Sequence, residues 1–130
     1  SGLMMVDGSS VGDAQDIVIR DRVMLAQDGM FVIIALIDQK TGKLKKSPDL
    51  ISRGFVYLKE NQELLRACRM IIKKTVEDAT TRMSLGGENR PDGSQIDFDY
   101  IKNGLGETVS KFLYQKTAKR PLVIPVILSV

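Results

Sequence analysis

Two stretches of the chain are apolar at nearly every position, and both predict strands. Residues 30–37 form an unbroken apolar run between Asp28 and Asp38. A run of this length bounded by polar residues predicts a strand that is buried, at least in part, on both faces. The second run, residues 122–130, contains Pro125. Proline has no amide hydrogen to donate, so this residue is expected at a sheet edge or at a bulge.

The segment that follows the first strand has the pattern of a returning hairpin strand. Thr41-Gly42 supplies residues that favour a turn, and residues 44–57 return to apolar and β-branched side chains. This arrangement predicts a β-hairpin over residues 30–57. Its second strand is expected to be interrupted near Pro48 and Gly54.

Two longer segments carry the three- and four-residue spacing of amphipathic helices. The first helix is predicted over residues 60–83 and the second over 97–119, although the second contains Gly104 and Gly106. Between them, residues 84–96 are rich in glycine and have no apolar rhythm, so an exposed, mobile loop is expected.

The order of these elements is β-β-α-α-β, which predicts an α+β fold. We expect a three-stranded antiparallel sheet that carries both long helices on one face and leaves the other face open. Residues 1–28 are interpreted as a linker or strap, and residues 29–130 as the folded domain. Within the linker, residues 17–25 fit either a short helix, which we favour, or an irregular extended segment.

Composition restricts the chemistry that is possible here. The chain has no histidine and a single cysteine, Cys68. Without histidine there is no imidazole base, no histidine-rich metal cluster and no histidine-activated nucleophile. Cys68 lies on the apolar stripe of the first helix and is expected in the core. No catalytic residue, cofactor or metal site is therefore predicted within this chain.

Basic residues exceed acidic ones by a small margin, giving a net charge of +3. They occur in clusters, each of which could be a solvated face or could attract a polyanion. The residues with a predicted contact to RNA are Arg20, Arg22, Arg53, Lys116, Lys119 and Arg120.

The segment Pro48–Tyr57 combines strand-forming residues with an arginine and a glycine that simple packing does not require. Gly54 predicts a bulge, a bend or a close backbone approach. Two interpretations of Arg53 stay open. It pairs with a carboxylate such as Asp49 and stiffens the turn, or it contacts RNA or a partner directly. In either case Asp49, Arg53 and Gly54 are predicted to act as one structural motif.

This segment, PDLISRGFVY, resembles the C-terminal domain of the ribonuclease J family, bacterial ribonucleases of the metallo-β-lactamase and β-CASP type. The resemblance extends over roughly residues 5–130. Further matching segments are Val6-Asp7-Gly8, Val11-Gly12-Asp13, residues 17–22, Asp28-Gly29, residues 112–117 and residues 120–127. Two places differ from the family pattern: Ala14-Gln15 replaces the usual Val and Gly, and the 84–96 loop is longer and richer in glycine.

The resemblance implies that the chain is an excised C-terminal accessory domain of a longer enzyme that cleaves RNA from the 5′ end and internally, and that it supports self-association and the activity of the catalytic domains. Zn or Mn is then expected in the missing catalytic domains, with no cofactor in this chain, which would not cut RNA alone. The implied partners are the catalytic domains of the same protein, further copies in a homo-oligomer, and RNA. No membrane association is expected. The lone cysteine is typical of a protein of the reducing cytoplasm.

Two other functions are weighed against this interpretation. The chain could be an RNA-binding module that acts through its basic clusters, although few aromatic residues are available for base stacking. It could also be an enzyme that binds Mg²⁺ or Mn²⁺ through carboxylates, but their spacing matches no known ion-binding loop. The carboxylates concerned are Asp7, Asp13, Asp16, Asp21 and Asp28.

Overall fold

A computed structural model of the chain describes residues 27–86 and 96–130. The linker predicted over residues 1–28 lies outside these ranges except for residues 27 and 28, and the short helix predicted over residues 17–25 lies outside them entirely. The described elements follow the predicted order β-β-α-α-β. They are strand β1 (Met30–Ile37), strand β2 (Asp49–Arg53), a short 3-10 helix (Leu58–Glu60), helix α1 (Gln62–Gly86), helix α2 (Phe98–Thr117) and strand β3 (Leu122–Ser129).

The three strands form one sheet in the order β2-β1-β3. β1 is antiparallel to β2, as predicted, but parallel to β3. The expectation of a purely antiparallel sheet is therefore wrong. The reason is the even number of helices between β2 and β3. Two packed helices of similar length return the chain to the end of the sheet where β2 finished, so β3 runs in the same direction as β1.

Both helices cover one face of the sheet, which confirms the predicted architecture. Alternate residues of β1 from Phe31 to Ile37 are fully buried against the helices, as the two-residue period of a strand requires. Leu65, Ile72 and Leu105 fill the opposite side of this core. The remaining residues of β1 point to the other face and are partly exposed, so the expected burial on both faces is only partial.

The connection between β1 and β2 contains the predicted turn. The Asp38 carboxylate accepts hydrogen bonds from the backbone amides of Lys40 at 2.7 Å and Thr41 at 3.3 Å, while the Gly42 amide donates to the Asp38 carbonyl at 2.8 Å. The Lys40 amide is the main cause that lowers the pKa of the Asp38 carboxyl group below its usual value. A local side-chain cap of this kind fixes the turn that the sequence predicted.

Both helices differ from prediction at their ends. Glu60, placed by prediction in the first helix, lies in the 3-10 helix, and α1 continues to Gly86. The expected exposed loop from 84 to 96 is wrong at both margins, because residues 84–86 are helical and Ile96 is buried in the core. The rest of that loop lies outside the described ranges. α2 begins after Asp97, whose side chain accepts a hydrogen bond from the Tyr100 amide.

Pro125 lies where its missing amide costs the sheet no hydrogen bond. The amides of Leu122 and Val130 donate to carbonyls on the β1 side, those of Gly29 and Ile37. Because amides alternate along a strand, the even-numbered residues of β3 face β1 and the odd-numbered ones face outward. Pro125 therefore points to the open edge of an edge strand, as predicted.

Candidate interaction surfaces

The face of the sheet opposite the helices is apolar over all three strands. The register pairs Val32 with both Ile51 and Ile124, so these three side chains lie side by side. Each apolar residue of this face is partly exposed. We call this surface the outer face, and its apolar members are Met30, Val32, Ile34, Leu36, Ile51, Leu122, Ile124, Val126 and Leu128.

Asp49 and Arg53 lie at opposite ends of β2 on the edge of the outer face. Four residues along a strand span about 13 Å, which is too far for their side chains to pair. Asp49 instead pairs with Lys46, at 3.5 Å between Nζ and Oδ2. Arg53 donates from its guanidinium to the Ser52 carbonyl at 3.0 Å. The predicted pairing of Arg53 with Asp49 is therefore wrong, and the exposed guanidinium remains available to a partner.

The structural device in this segment is Ser52, which the sequence interpretation overlooked. Its hydroxyl donates to the Val56 carbonyl at 2.9 Å and accepts from the Val56 amide at 3.2 Å, and Ser52 itself is buried. Gly54 between them has a positive φ of 72°. This conformation turns the chain away from the sheet. The predicted continuation of the strand over residues 55–57 is therefore wrong. Phe55 packs edge-on against Phe31 instead.

The residues predicted to contact RNA are only partly brought together. Arg20 and Arg22 lie outside the described ranges. Arg53 ends β2 while Lys119 and Arg120 precede β3, and these positions share one end of the sheet because β1 begins there. Asp28 lies between them and accepts a hydrogen bond from the Arg120 amide at 2.7 Å.

Two of these cations have aromatic neighbours within the domain. The Arg120 guanidinium lies 4.0 Å from the centroid of the Tyr114 ring, and the Lys116 amine lies 6.0 Å from that of Phe112. Both are cation–π contacts on the surface of α2. They give these side chains a structural role that the charge pattern alone did not indicate.

The described residues offer no site for a metal ion. Among residues 27–86 and 96–130, no group of three or more histidine, cysteine, aspartate or glutamate side chains could hold one. Of the carboxylates weighed for an ion site, Asp28 alone is described, and it caps the Arg120 amide. Cys68 is fully buried as predicted, and desolvation raises the pKa of its thiol to about 12.

A second surface combines residues that are distant in sequence. A cleft of about 610 Å³ lies between α1 and the β1–β2 connection, with Arg66, Arg69 and Lys73 on the helix side and Lys46 on the side of the connection. We call it the basic cleft. The sequence did contain a signal for three of these residues, because positions 66, 69 and 73 recur at helical spacing. The position of Lys46 in this cleft depends on how the β1–β2 connection packs against α1, which no sequence spacing predicts.

None of the helices in the described part of the chain is both long enough and apolar enough to cross a membrane.

Comparison with known proteins agrees with the resemblance found in the sequence. The family model described as the ribonuclease J C-terminal domain matches residues 17–130. Ribonuclease J 2 of Staphylococcus epidermidis is 36% identical over 127 residues, which are 98% of this chain and 21% of the relative. Ribonuclease J 2 of Staphylococcus aureus is 35% identical over the same length, with the same coverage. The chain thus spans about a fifth of the length of these relatives.

Proposed function

This chain belongs to the ribonuclease J C-terminal domain family, and from that premise we propose that it is an accessory domain that joins two copies of an RNA-degrading enzyme through the outer face. In this proposal the whole protein is a metal-dependent ribonuclease of the cytoplasm. Cleavage, with its Zn or Mn, is proposed to take place in the catalytic domains of the whole protein. The domain alone would not cleave RNA, and its contribution is assembly.

The observation that carries the proposal is the continuous apolar surface of the outer face. A sheet of three strands, with eight residues in each of the two longer ones, extends roughly 26 Å by 14 Å. A face of this size falls within the roughly 300–600 Å² of the largest apolar patch on a typical monomer, a patch that is often functional. It is smaller than the roughly 800 Å² that each partner of a stable complex buries. We therefore expect association that is weak for the isolated domain and stronger when further contacts add to it.

A second copy fits this surface because the charges at its edge are self-complementary. A two-fold axis that lies between two outer faces and runs across the strands places β2 over β2 in the opposite direction. Ile51 then meets Ile51 at the centre, and Asp49 of each copy faces Arg53 of the other. Two sheets pack about 10 Å apart, a distance that an arginine and an aspartate side chain span together. In the dimer, Arg53 of one copy thus pairs with Asp49 of the second copy, a carboxylate that it is too far away to pair with inside its own chain.

Sedimentation of the 130-residue chain over a range of concentrations tests the proposal. Val32→Lys places a charge at the centre of the outer face and should weaken association at least about tenfold, since each 1.4 kcal/mol is a factor of ten. Tyr100→Lys is the control, because Tyr100 is 43% exposed and lies on α2, on the helix-covered side of the sheet. A wild-type chain that stays monomeric at every concentration, or a Val32→Lys variant that associates like wild type, would contradict the proposal.

Exchanging the charges of Asp49 and Arg53 distinguishes a loss of association from a loss of folding. Asp49→Arg and Arg53→Asp should each weaken association by placing like charges opposite each other, whereas the double variant should restore it. Circular dichroism confirms that each variant is folded. Failure of the double variant to recover association would rule out the arrangement in which Asp49 faces Arg53. Association only with the rest of the enzyme, and not with a second copy, would assign the outer face to the catalytic domains instead.

A further inference from the structure

The basic cleft differs in the sign of its charges from a second groove that the described residues form. That groove has a volume of about 710 Å³ and lies between the two helices. Its charged lining alternates in sign: Lys74, Asp78, Arg82, Glu107 and Lys111. In contrast, the four charged residues that line the basic cleft are all cations. A concentration of one sign of charge gives a positive potential that attracts an anion.

The cations of the cleft are not neutralised by strong pairing within the domain. Arg66 contacts Glu63 at 2.8 Å and Lys46 contacts Asp49 at 3.5 Å, but both pairs are largely exposed. Exposed pairs contribute at most about 1 kcal/mol and exchange readily. Within residues 27–86 and 96–130, no carboxylate forms a salt bridge with Arg69 or Lys73. The cleft therefore keeps a positive excess.

The backbone holds these cations in a line. Arg66, Arg69 and Lys73 follow one another at helical spacing along one side of α1, over a rise of about 10 Å. The Arg69 Nε–H donates to the Pro48 carbonyl at 3.4 Å and thus fixes the arginine against the β1–β2 connection. Lys46 lies on that connection, across the cleft from the line. A row of cations that faces another cation suits a linear polyanion better than a single small anion.

We propose that the basic cleft binds single-stranded RNA through its phosphates. The choice of RNA rests on the proposed function, in which the whole protein degrades RNA. Among the lining residues are the uncharged donors Ser47 and Gln62, together with Met70, whose side chain is 68% exposed. Phosphates bind to the cations, and the thioether of Met70 gives a base an apolar surface. No aromatic residue lines the cleft, so binding would rest on the phosphates rather than on base stacking.

RNA in this cleft would not compete with a second copy on the outer face. α1 covers the inner side of the sheet, while the outer face lies on the opposite side. The two surfaces meet only at the ion pair between Lys46 of the cleft and Asp49 at the edge of the outer face. In a dimer, each of the two clefts would hold a strand on its own copy, so that the pair retains RNA near the catalytic domains.

Fluorescence anisotropy with a labelled oligouridylate of about 12 nucleotides tests the proposal, a length within the usual range of single-strand binding sites. The protein is the full 130-residue chain, titrated at several salt concentrations. The triple variant Arg66→Gln, Arg69→Gln, Lys73→Gln should bind at least about tenfold more weakly at low salt. Its plot of log affinity against log salt should be flatter by about 2, because each lost phosphate contact on a single strand removes about 0.7 from the slope.

The matched control removes the same charge elsewhere. Lys40, Lys43 and Lys59 are exposed and lie outside the cleft, and their triple replacement by glutamine should change the affinity less than about threefold. Equal losses in the two triple variants would show that net charge alone drives binding and would overturn the proposal. So would an absence of binding by the wild-type chain at low salt.

A competitor and a second readout separate the remaining outcomes. The competitor is polyglutamate. If the wild-type chain binds it as tightly as RNA, and the cleft triple variant binds both more weakly by the same factor, the cleft would be assigned to acidic proteins instead. Sedimentation of the same samples reports self-association independently. A chain that dimerises but shows no cleft-dependent RNA binding overturns this inference alone, whereas a monomer that binds RNA through the cleft overturns only the proposed assembly.

Discussion

The hydroxyl group of Thr80 donates a hydrogen bond to the carbonyl oxygen of Gly42, 2.8 Å away. The two residues are 38 positions apart, and the bond ties the β1–β2 connection to α1. Both residues are buried. A Cβ atom on Gly42 would lie 2.5 Å from Thr80 Cγ2, and Gly42 has a positive φ of 76°. Any other residue at position 42 would therefore separate the connection from the helix, and with it Lys46 from the rest of the basic cleft.

We expect Thr80→Val to lower the free energy of unfolding by about 1–3 kcal/mol, because the buried Gly42 carbonyl then loses its partner. Urea unfolding measures this change. Thr75→Val is the control, since the Thr75 hydroxyl donates only to the Ile71 carbonyl of its own helix, and it should cost less than about 0.5 kcal/mol. Equal costs for the two variants would show that the contact across the fold is unimportant.

Ser52→Ala should lower the free energy of unfolding more than Arg53→Ala, although the sequence analysis singled out the arginine. Ser52 is buried and makes two partly buried hydrogen bonds with Val56, so its replacement should lower the free energy of unfolding by about 1–2 kcal/mol. Arg53 is exposed and bonds only to the neighbouring Ser52 carbonyl, so its replacement should stay within about 0.5 kcal/mol. Thermal unfolding of both variants checks this order. A larger loss for Arg53→Ala would restore the interpretation of the arginine as a structural residue.

Gly106→Ala should stabilise the domain. Gly106 lies within α2, and a Cβ atom there would meet no atom within 4 Å. Alanine favours the helix over glycine by roughly 0.8–1 kcal/mol, and nothing in the fold opposes the gain. At Gly104 a Cβ atom would reach Thr75 Cγ2 at 3.7 Å, an ordinary contact, so Gly104→Ala should also be tolerated. Chemical unfolding of both variants measures the change, and a destabilised Gly104→Ala would show that the helices need a closer approach.

The buried thiol of Cys68 should make stability fall in alkaline solution. Its pKa rises from 9.0 to about 12 in the folded chain, so between these values the unfolded chain has lost the proton and the folded chain retains it. The free energy of unfolding then falls as pH rises, by up to about 1.4 kcal/mol per pH unit. Below the lower value the thiol is protonated in both states and contributes no dependence.

Comparison with Cys68→Ala isolates this effect from lysine and tyrosine titration. The variant should show a shallower fall than wild type when urea unfolding is repeated at about pH 8, 9 and 10. Alkylation of the native wild-type thiol should also be slow, because the reactive thiolate is nearly absent and the side chain is fully buried. Parallel pH curves for the two proteins would contradict the assignment.

Local patterns in the sequence were sufficient to predict the type and the order of the helices and strands in this fold. The spacing of Leu65, Cys68 and Ile72 reflects a period that only a helix satisfies, and the apolar run from Met30 to Ile37 exceeds what a loop would bury. Pro125 was correctly placed at an edge, since a missing amide is a property of the residue itself. Element ends were less well predicted, because caps and tertiary contacts decide where a helix stops.

Relations between distant segments were decided only by the tertiary structure. The direction of β3, the separation of Asp49 from Arg53 along β2, and the meeting of Lys46 with the cations of α1 all depend on how the elements pack. The sequence by itself determined the elements, the apolar core and the family, because these follow from periodicity and from short segments of local pattern. Which faces and charges came together was decided by the path of the chain, since contacts between segments distant in sequence leave no periodic signal in either one.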